Sequence, residues 1–471
     1  MPSKPIWQWS AVETAAAIRS GDITAQEAVD SALGRMRDCN EAVNAINVDL
    51  STDAQRAARR ADGVQQSGVA LGPLHGVPIT IKDNVDQAGQ ATTNGVPAFA
   101  EVIAGEDSPV VASLRKAGAI VIGRTNTPEF SLRWFTDNTL HGLTKNPWDE
   151  TITPGGSSGG AAAAVSLGIG AIAHGTDLGG SLRYPAYACG LATIKPSLGR
   201  VPSFNPTASE ERTPVTLLMS GQGPIAREVR DVRLALSVMA QGDSRDPAWV
   251  PAPLEGPRPA APIKVAVTKD PAGFGCHGAV SVAIDQAADC LSNAGYVVEA
   301  ADPPHVAEIA EAWRNLLWTE TKMLMEDAMR QHGSDDINQV ISDNIAASTI
   351  LDMQGYLRTL ADRTQLLRAW NTFMDDYDLV LAPVSQVPPY LQLEDLKGTD
   401  RVKQMLDEQS MLYAVNLLGL PSAAIPTGLS GGVPMGVQII GQRFREDLCL
   451  DAAEVVERTT GILAEQLWSK A

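Results

Sequence analysis

The chain has 471 residues, 44% of them hydrophobic, which is enough to fill a sizeable core and too apolar for a disordered polypeptide. Thirty-seven Lys and Arg against 55 Asp and Glu leave a net charge of −18, with no basic cluster to follow a phosphate backbone, so nucleic-acid binding is disfavoured. Five scattered cysteines, Cys39, Cys189, Cys276, Cys290 and Cys449, never fall in CxxC spacing; they argue against a disulfide framework and a zinc site and read as reduced thiols.

The first residues carry Lys4, Trp7, Trp9, Glu13 and Arg19 where a secretory signal would have a basic start and an apolar run, so the expected compartment is the cytoplasm. The longest apolar run, 161–173, contains Ser166, Gly168 and Gly170 and is shorter than the roughly 20 residues a spanning helix needs. No membrane segment is expected.

In chain order, Ser10 with Glu13 and Thr24 with Glu27 form two capping boxes, each ahead of apolar residues spaced by three and four. They predict two helices meeting near Gly21 and Asp22. The turn-rich stretch LGPLHGVPITIKDN at 71–84 approaches a short strand over 77–82, with Ile79 and Ile81 on one face and Thr80 and Lys82 on the other. Residues 113–119 predict a short helix and 120–123 a buried strand, followed by a polar and aromatic loop over 126–148. This rhythm implies a layered α/β domain.

The proline-rich run 249–262 is the best linker candidate. A βαβ unit follows, with strands over 263–267 and 296–299 around a helix over 279–294. Residues 306–370 read as helical, and 379–382 and 433–440 as strands able to rejoin the first sheet.

The densest chemical signal is TPGGSSGGAAAA at 153–164, followed by GTDLGGSLRYPA at 175–186. Four glycines around Ser157 and Ser158 free the backbone for close approaches, and the alanines after them favour a helix whose N-terminus would sit beside both serines. Alone, such a stretch reads more readily as a glycine-rich turn packed against a helix; a phosphate loop lacks its Gly-Lys-Ser/Thr. The second stretch adds consecutive N–H groups at Leu178, Gly179, Gly180 and Ser181, which can converge on one oxygen as a tetrahedral oxyanion requires.

A serine there is a candidate nucleophile and needs a base. The six histidines, His75, His141, His174, His277, His305 and His332, sit in no such context, and no GxSxG surrounds Ser181. Lys82 is the better candidate: at the end of an apolar strand it either reaches solvent or, buried among hydroxyls, loses its charge.

With these motifs in this order, and Ser157 and Ser181 separated by 24 residues, the chain resembles the amidase signature family. Further segments similar to that family are GRTNTPEF (123–130), NPW (146–148), IKPS (194–197), GPIAR (223–227), NLLGLP (416–421) and PMGVQ (434–438), so the resemblance covers most of the chain and is weakest over 240–375.

The resemblance implies one amidase domain over 1–471: an N-terminal helical segment (1–65), a signature core (66–240), a variable and partly helical region (241–375) and a C-terminal segment completing the core (376–471). The implied fold is α/β, a large mixed β-sheet flanked by α-helices on both sides. Ser181 resembles the nucleophile, Ser157 the bridging serine on a cis peptide after Gly156, and Lys82 the base. Backbone N–H groups of Leu178, Gly179, Gly180 and Ser181 would form the oxyanion hole, with Asp177, Arg183, Ser158 and Gly156 in support.

The implied activity is hydrolysis of a small-molecule carboxylic amide, with esters and hydrazides as further substrates to test, without metal or organic cofactor. Arg133, Trp134 and Phe135 lie on the loop that lines the family's acyl pocket, which suggests an aromatic or aliphatic acyl group; the alternative is that these rings are core. Rival readings are the glutaminase subunit of a tRNA-dependent amidotransferase, against which MSGQGP at 219–224 departs from that group's usual Ser-Leu-Asp, and a silent binding protein on the same fold. Homodimers occur in the family, and no interface is specified by the sequence.

Overall fold

The computed structural model describes residues 4–259 and 262–469. Among these described residues eleven strands form one sheet: β1 (Ile46–Asp49), β2 (Pro78–Lys82), β3 (Ile120–Thr125), β4 (Ile172–Asp177), β5 (Ala192–Lys195), β6 (Gly221–Ala226), β7 (Lys264–Val267), β8 (Val297–Ala300), β9 (Leu379–Pro383), β10 (Ser422–Ser430) and β11 (Val433–Gly441). Their order is β1-β3-β2-β4-β6-β5-β10-β11-β9-β7-β8. The sheet is mixed: β2 runs parallel to β3 and β4, and β7 to β8 and β9, whereas the central β4-β6-β5-β10-β11-β9 run is antiparallel.

Helices cover both faces, and alternation along each strand divides the core between them. In β9, Leu379 and Leu381 join the cluster that holds helices Val229–Met239, Gly278–Asn293 and Glu446–Thr460, while Val380 and Ala382 face helices Val306–Glu320 and Ser410–Leu418. In β2, Ile79 and Ile81 take the first face, which turns Thr80 and Lys82 to the other, as the sequence predicted.

Both capping boxes form, with Ser10 accepting from the Glu13 N–H and Thr24 from the Glu27 N–H, and both carboxylates reaching back to the cap. The short helix predicted over 113–119 instead spans Pro109–Lys116. Pro109 occupies the first turn, where a missing N–H costs nothing, so the proline opens the helix rather than preceding it. The predicted βαβ unit is β7, helix Gly278–Asn293 and parallel β8.

The proline-rich 249–262 run, in which 260 and 261 lie outside the described residues, does not separate two sheets. It joins helix Val229–Met239 to β7, and strands from before and after it alternate in one sheet. Along the way Arg200 donates to the Ala252 carbonyl and Asp447 accepts from the Gly256 N–H.

Candidate active site

Three elements of the sheet's centre deliver the site. β2 ends on Lys82, β4 ends on Asp177, and between them in sequence the 153–158 loop enters helix Gly159–Ser166. The glycines of this loop are there for contact. A Cβ on Gly156 would overlap the Arg133 carbonyl oxygen, one on Gly159 the Thr136 side chain, and one on Gly160 would lie 2.5 Å from the Asn126 nitrogen. The four alanines that follow are fully buried, which lets the helix lie directly on the sheet. The Gly156–Ser157 peptide is cis.

Lys82 is completely buried. Its Nζ lies 2.7 Å from Oγ of Ser157 and 2.9 Å from Oγ1 of Thr176. Its polar neighbours are hydroxyls. Burial pushes the amine well below the usual lysine range; Asp177 pulls the other way, but its carboxylate is engaged by Arg183. The alternative of a lysine reaching solvent is thereby removed, and a neutral amine beside a serine hydroxyl is a proton acceptor.

Thr176 and Asn84 were missed from sequence. Asn84 donates to Oγ1 of Thr176 at 3.0 Å and to Oγ of Ser131 at 3.2 Å, so the hydroxyl next to Lys82 is itself held. Both residues sit inside the motifs, Asn84 two positions after Lys82 and Thr176 immediately before Asp177, and their position there was the available signal. Ser158 stitches the two motifs together, accepting from the Thr176 N–H and donating to the Thr176 carbonyl, both at 3.3 Å.

Residues 177–183 form the loop around Ser181. Asp177 and Arg183 are both fully buried and paired, with Arg183 Nε 3.1 Å from Oδ2 and Nη2 3.1 Å from Oδ1, so they are no surface ion pair. Arg183 also donates to Asn416, Gln438 and the Leu412 carbonyl. Burial alone would raise the Asp177 carboxyl, yet the charge and hydrogen bonds of Arg183 outweigh it and hold the group well below the ordinary range.

One expectation for this loop requires correction. The Gly180 N–H donates to Oδ1 of Asp177 at 2.8 Å and is not free for an oxyanion. The N–H groups of Leu178, Gly179 and Ser181 have no protein acceptor among the described residues.

Two cavities meet at Ser181 and Leu178. The first holds about 620 Å³ of empty space, part of it open to solvent, and its wall is aromatic and aliphatic: Trp134, Phe135, Trp313, Leu317, Trp318, Val340, Met405, Leu406 and Tyr413. Trp134 and Phe135 therefore belong to the wall, and Phe135 is at the same time core, fully buried and stacked on Tyr390. Arg133 enters the same wall already neutralised by a bidentate pair with Asp395, at 2.7 and 2.9 Å. The second cavity is polar. Ser157, Thr176 and Asn84 line it with Ser203, Asn205, Arg212, Ser220 and Gln222.

The histidines take no part. His174, nearest to the serine motifs, is buried and hydrogen-bonded at 2.7 Å to Gln222, and burial pushes its pKa down to about 3.

A model of the amidase family matches residues 27–450. The chain belongs to the amidase family. Over 468 residues, 99% of this chain and 89% of the relative, it is 51% identical to an indoleacetamide hydrolase of Bradyrhizobium diazoefficiens. It is 31% identical over 93% of its length to a glutamyl-tRNA(Gln) amidotransferase subunit of Moorella thermoacetica, covering 94% of that protein.

Among solved structures, a bacterial aryl acylamidase of the amidase signature enzymes superposes with a TM-score of 0.85 at 28% identity, with 99% of each chain covered. This amidase is a hydrolase acting on non-peptide C–N bonds of small-molecule amides. Among the described residues no helix is long and apolar enough to cross a membrane.

Proposed function

We propose that this amidase hydrolyses arylacetamides of the indoleacetamide type through an acyl-enzyme on Ser181. The observation that carries the substrate class is the aromatic cavity opening on Ser181, with its one charged pair, Arg133 and Asp395, closed on itself. The 51% identical relative, named for indoleacetamide, supports the same class.

Neutral Lys82 takes the proton of Ser157 as Ser157 takes that of Ser181, and Oγ of Ser181 forms a bond to the amide carbon. The carbonyl π electrons move onto oxygen, where the N–H groups of Leu178, Gly179 and Ser181 face them. The C–N bond breaks as the leaving nitrogen takes a proton from Ser157, which recovers one from Lys82. Water, deprotonated by the same relay, then attacks the ester; Ser181 leaves with a proton and the acid departs. The acyl group occupies the apolar cavity and the amine the polar one.

Residues 1–471 act as a single amidase domain, which the one sheet drawn from both ends of the chain supports. Five cysteines without disulfides support a reducing compartment, the cytoplasm. The mass of the purified chain in solution tests whether it forms the homodimer that the family resemblance suggests. The glutaminase reading has less support, because the acyl cavity presents bulky rings and an ion pair that is already satisfied where glutamine carries its charged groups.

The test is ammonia release by the purified chain from indole-3-acetamide, phenylacetamide, acetamide and glutamine, with ester and hydrazide counterparts. Arylacetamides turned over far faster than acetamide, and not at all by Ser181→Ala, is the expected result. Turnover of glutamine alone, or full activity in Ser181→Ala, overturns it.

A further inference from the structure

In a trans peptide the C=O and N–H point in opposite directions, so a carbonyl pinned on one side aims the next residue's N–H to the other. All four carbonyls of the loop before Ser181 are pinned. The Asp177 carbonyl accepts from Asn416 Nδ2 at 3.2 Å, that of Leu178 from Trp313 Nε1 at 3.0 Å, that of Gly179 from Trp134 Nε1 at 3.1 Å, and that of Gly180 from the Tyr184 N–H at 2.7 Å. Two of the four pins are indoles, and their rings line the apolar cavity that ends on Ser181.

The two rings are coupled. Tyr413 stacks on Trp313 at 3.9 Å between centroids and 20° between planes, and also lies 5.7 Å from Trp134. Trp313 rests so closely on the loop that a Cβ on Gly179 would lie 2.7 Å from its Cζ2. A glycine is needed there for the ring as much as for the backbone.

We propose that Trp313 and Trp134 are positioning residues of the amidase reaction: their N–H groups hold the oxyanion loop while their ring faces touch the acyl group, so that acyl fit is expressed in kcat more than in KM. The proposal rests on Ser181 acting as nucleophile. The two pins are unequal. The 178–179 peptide is fixed by Trp313 at its oxygen and supplies the Gly179 N–H to the hole. The 179–180 peptide is fixed by Trp134 at its oxygen and again by Asp177 at its nitrogen. Losing the Trp313 donor therefore does more harm.

The experiment compares Trp313→Phe and Trp134→Phe with the unaltered chain in kcat and KM for phenylacetamide and acetamide. It adds the affinities of phenylacetate, the product, and of phenylacetaldehyde, whose carbonyl accepts Oγ of Ser181 to give a tetrahedral adduct with its oxygen in the hole. Trp313→Phe is expected to lower kcat for phenylacetamide about 100-fold, the scale of one oxyanion donor, with KM and phenylacetate affinity within about threefold. Aldehyde affinity falls in parallel with kcat. Trp134→Phe is expected to lose about tenfold, and the kcat advantage of phenylacetamide over acetamide shrinks in both.

Should Trp313→Phe be insoluble, benzothienylalanine at that position keeps the bicyclic shape without the donor and serves for the same measurements. Unchanged kcat, or equal losses of phenylacetate and aldehyde affinity as damage to the pocket alone would give, overturns the proposal. If instead Ser181→Ala keeps its activity, the nucleophile assignment fails before the tryptophans are at issue.

Discussion

Oδ1 of Asp177 accepts the Gly180 N–H at 2.8 Å while Arg183 donates to both oxygens of the same carboxylate, each at 3.1 Å. A buried charge pair, more than the freedom of the glycines, therefore sets the course of the loop that carries Ser181. Replacing Asp177 with Asn keeps the shape and strands a buried guanidinium. Asp177→Asn is expected to lose about 3 kcal/mol of stability in urea unfolding and at least about tenfold in kcat. A variant as stable and active as the parent would contradict that role for the pair.

Because the fold disfavours protonated Lys82, the unfolded chain binds the extra proton, and stability rises with pH through the interval between the depressed value and the ordinary lysine value of 10.5. Lys82 thus costs stability at neutral pH and progressively less toward pH 10. Lys82→Met is expected to melt at or above the parent temperature at pH 7, with the gain shrinking at pH 10, while kcat falls about a thousandfold or more. In the parent enzyme kcat/KM should climb as Lys82 loses its proton, with an inflection below 10.5. Calorimetry and a pH–rate profile check both signs.

Asp231 accepts the N–H groups of Ala11 and Val12 at the start of helix Ala11–Ser20, but burial outweighs these bonds and raises its pKa from 3.8 to about 6. The folded state prefers the protonated acid, so this group's contribution falls as pH rises from about 4 to about 6 and is level above. In urea unfolding, stability at pH 4 relative to pH 7 should be lower in Asp231→Asn than in the parent by on the order of 2 kcal/mol.

Gly156 lies against the carbonyl of Arg133 and 2.7 Å, measured from an added Cβ, from the Trp134 carbonyl carbon. Gly156→Ala is therefore expected to displace either the Ser157 loop or the wall of the acyl cavity, at a cost of about 2 kcal/mol in thermal or urea unfolding and with a clear loss of activity. Gly63→Ala, on an exposed helix face with nothing within 4 Å, is the matched control and should leave activity unchanged while adding up to about 1 kcal/mol of stability.

Local signals carried some parts of the structure and were silent on others for physical reasons. Capping boxes need only four residues, and both formed. β2 and β9 were readable as short apolar runs. β10 was not, because Pro426 and Gly428 interrupt its alternation where the pairing register shifts.

In the site, Lys82, Ser157 and Ser181 stood out by residue type and spacing. The burial that holds the Lys82 amine below the usual lysine range comes from packing and has no local signature. The groups that aim the loop, Trp313, Asn416 and Gln438, lie 135 to 255 residues from their partners; Asn416 and Gln438 fall in family-like segments that did not reveal their role, and Trp313 falls in none. The Gly180 N–H was assigned to the oxyanion because glycine leaves it unobstructed; the nearby Asp177 carboxylate competes for it and wins.

Arg183 draws its outer partners from Leu412, Asn416 and Gln438, up to 255 residues further along the chain. On the ribosome, then, both serines emerge long before the groups that lock their loop. A nascent or prematurely ended chain lacking those groups carries Ser181 without the anchors of its loop. Activity is therefore expected only once helix Ser410–Leu418 and β11 have joined the sheet.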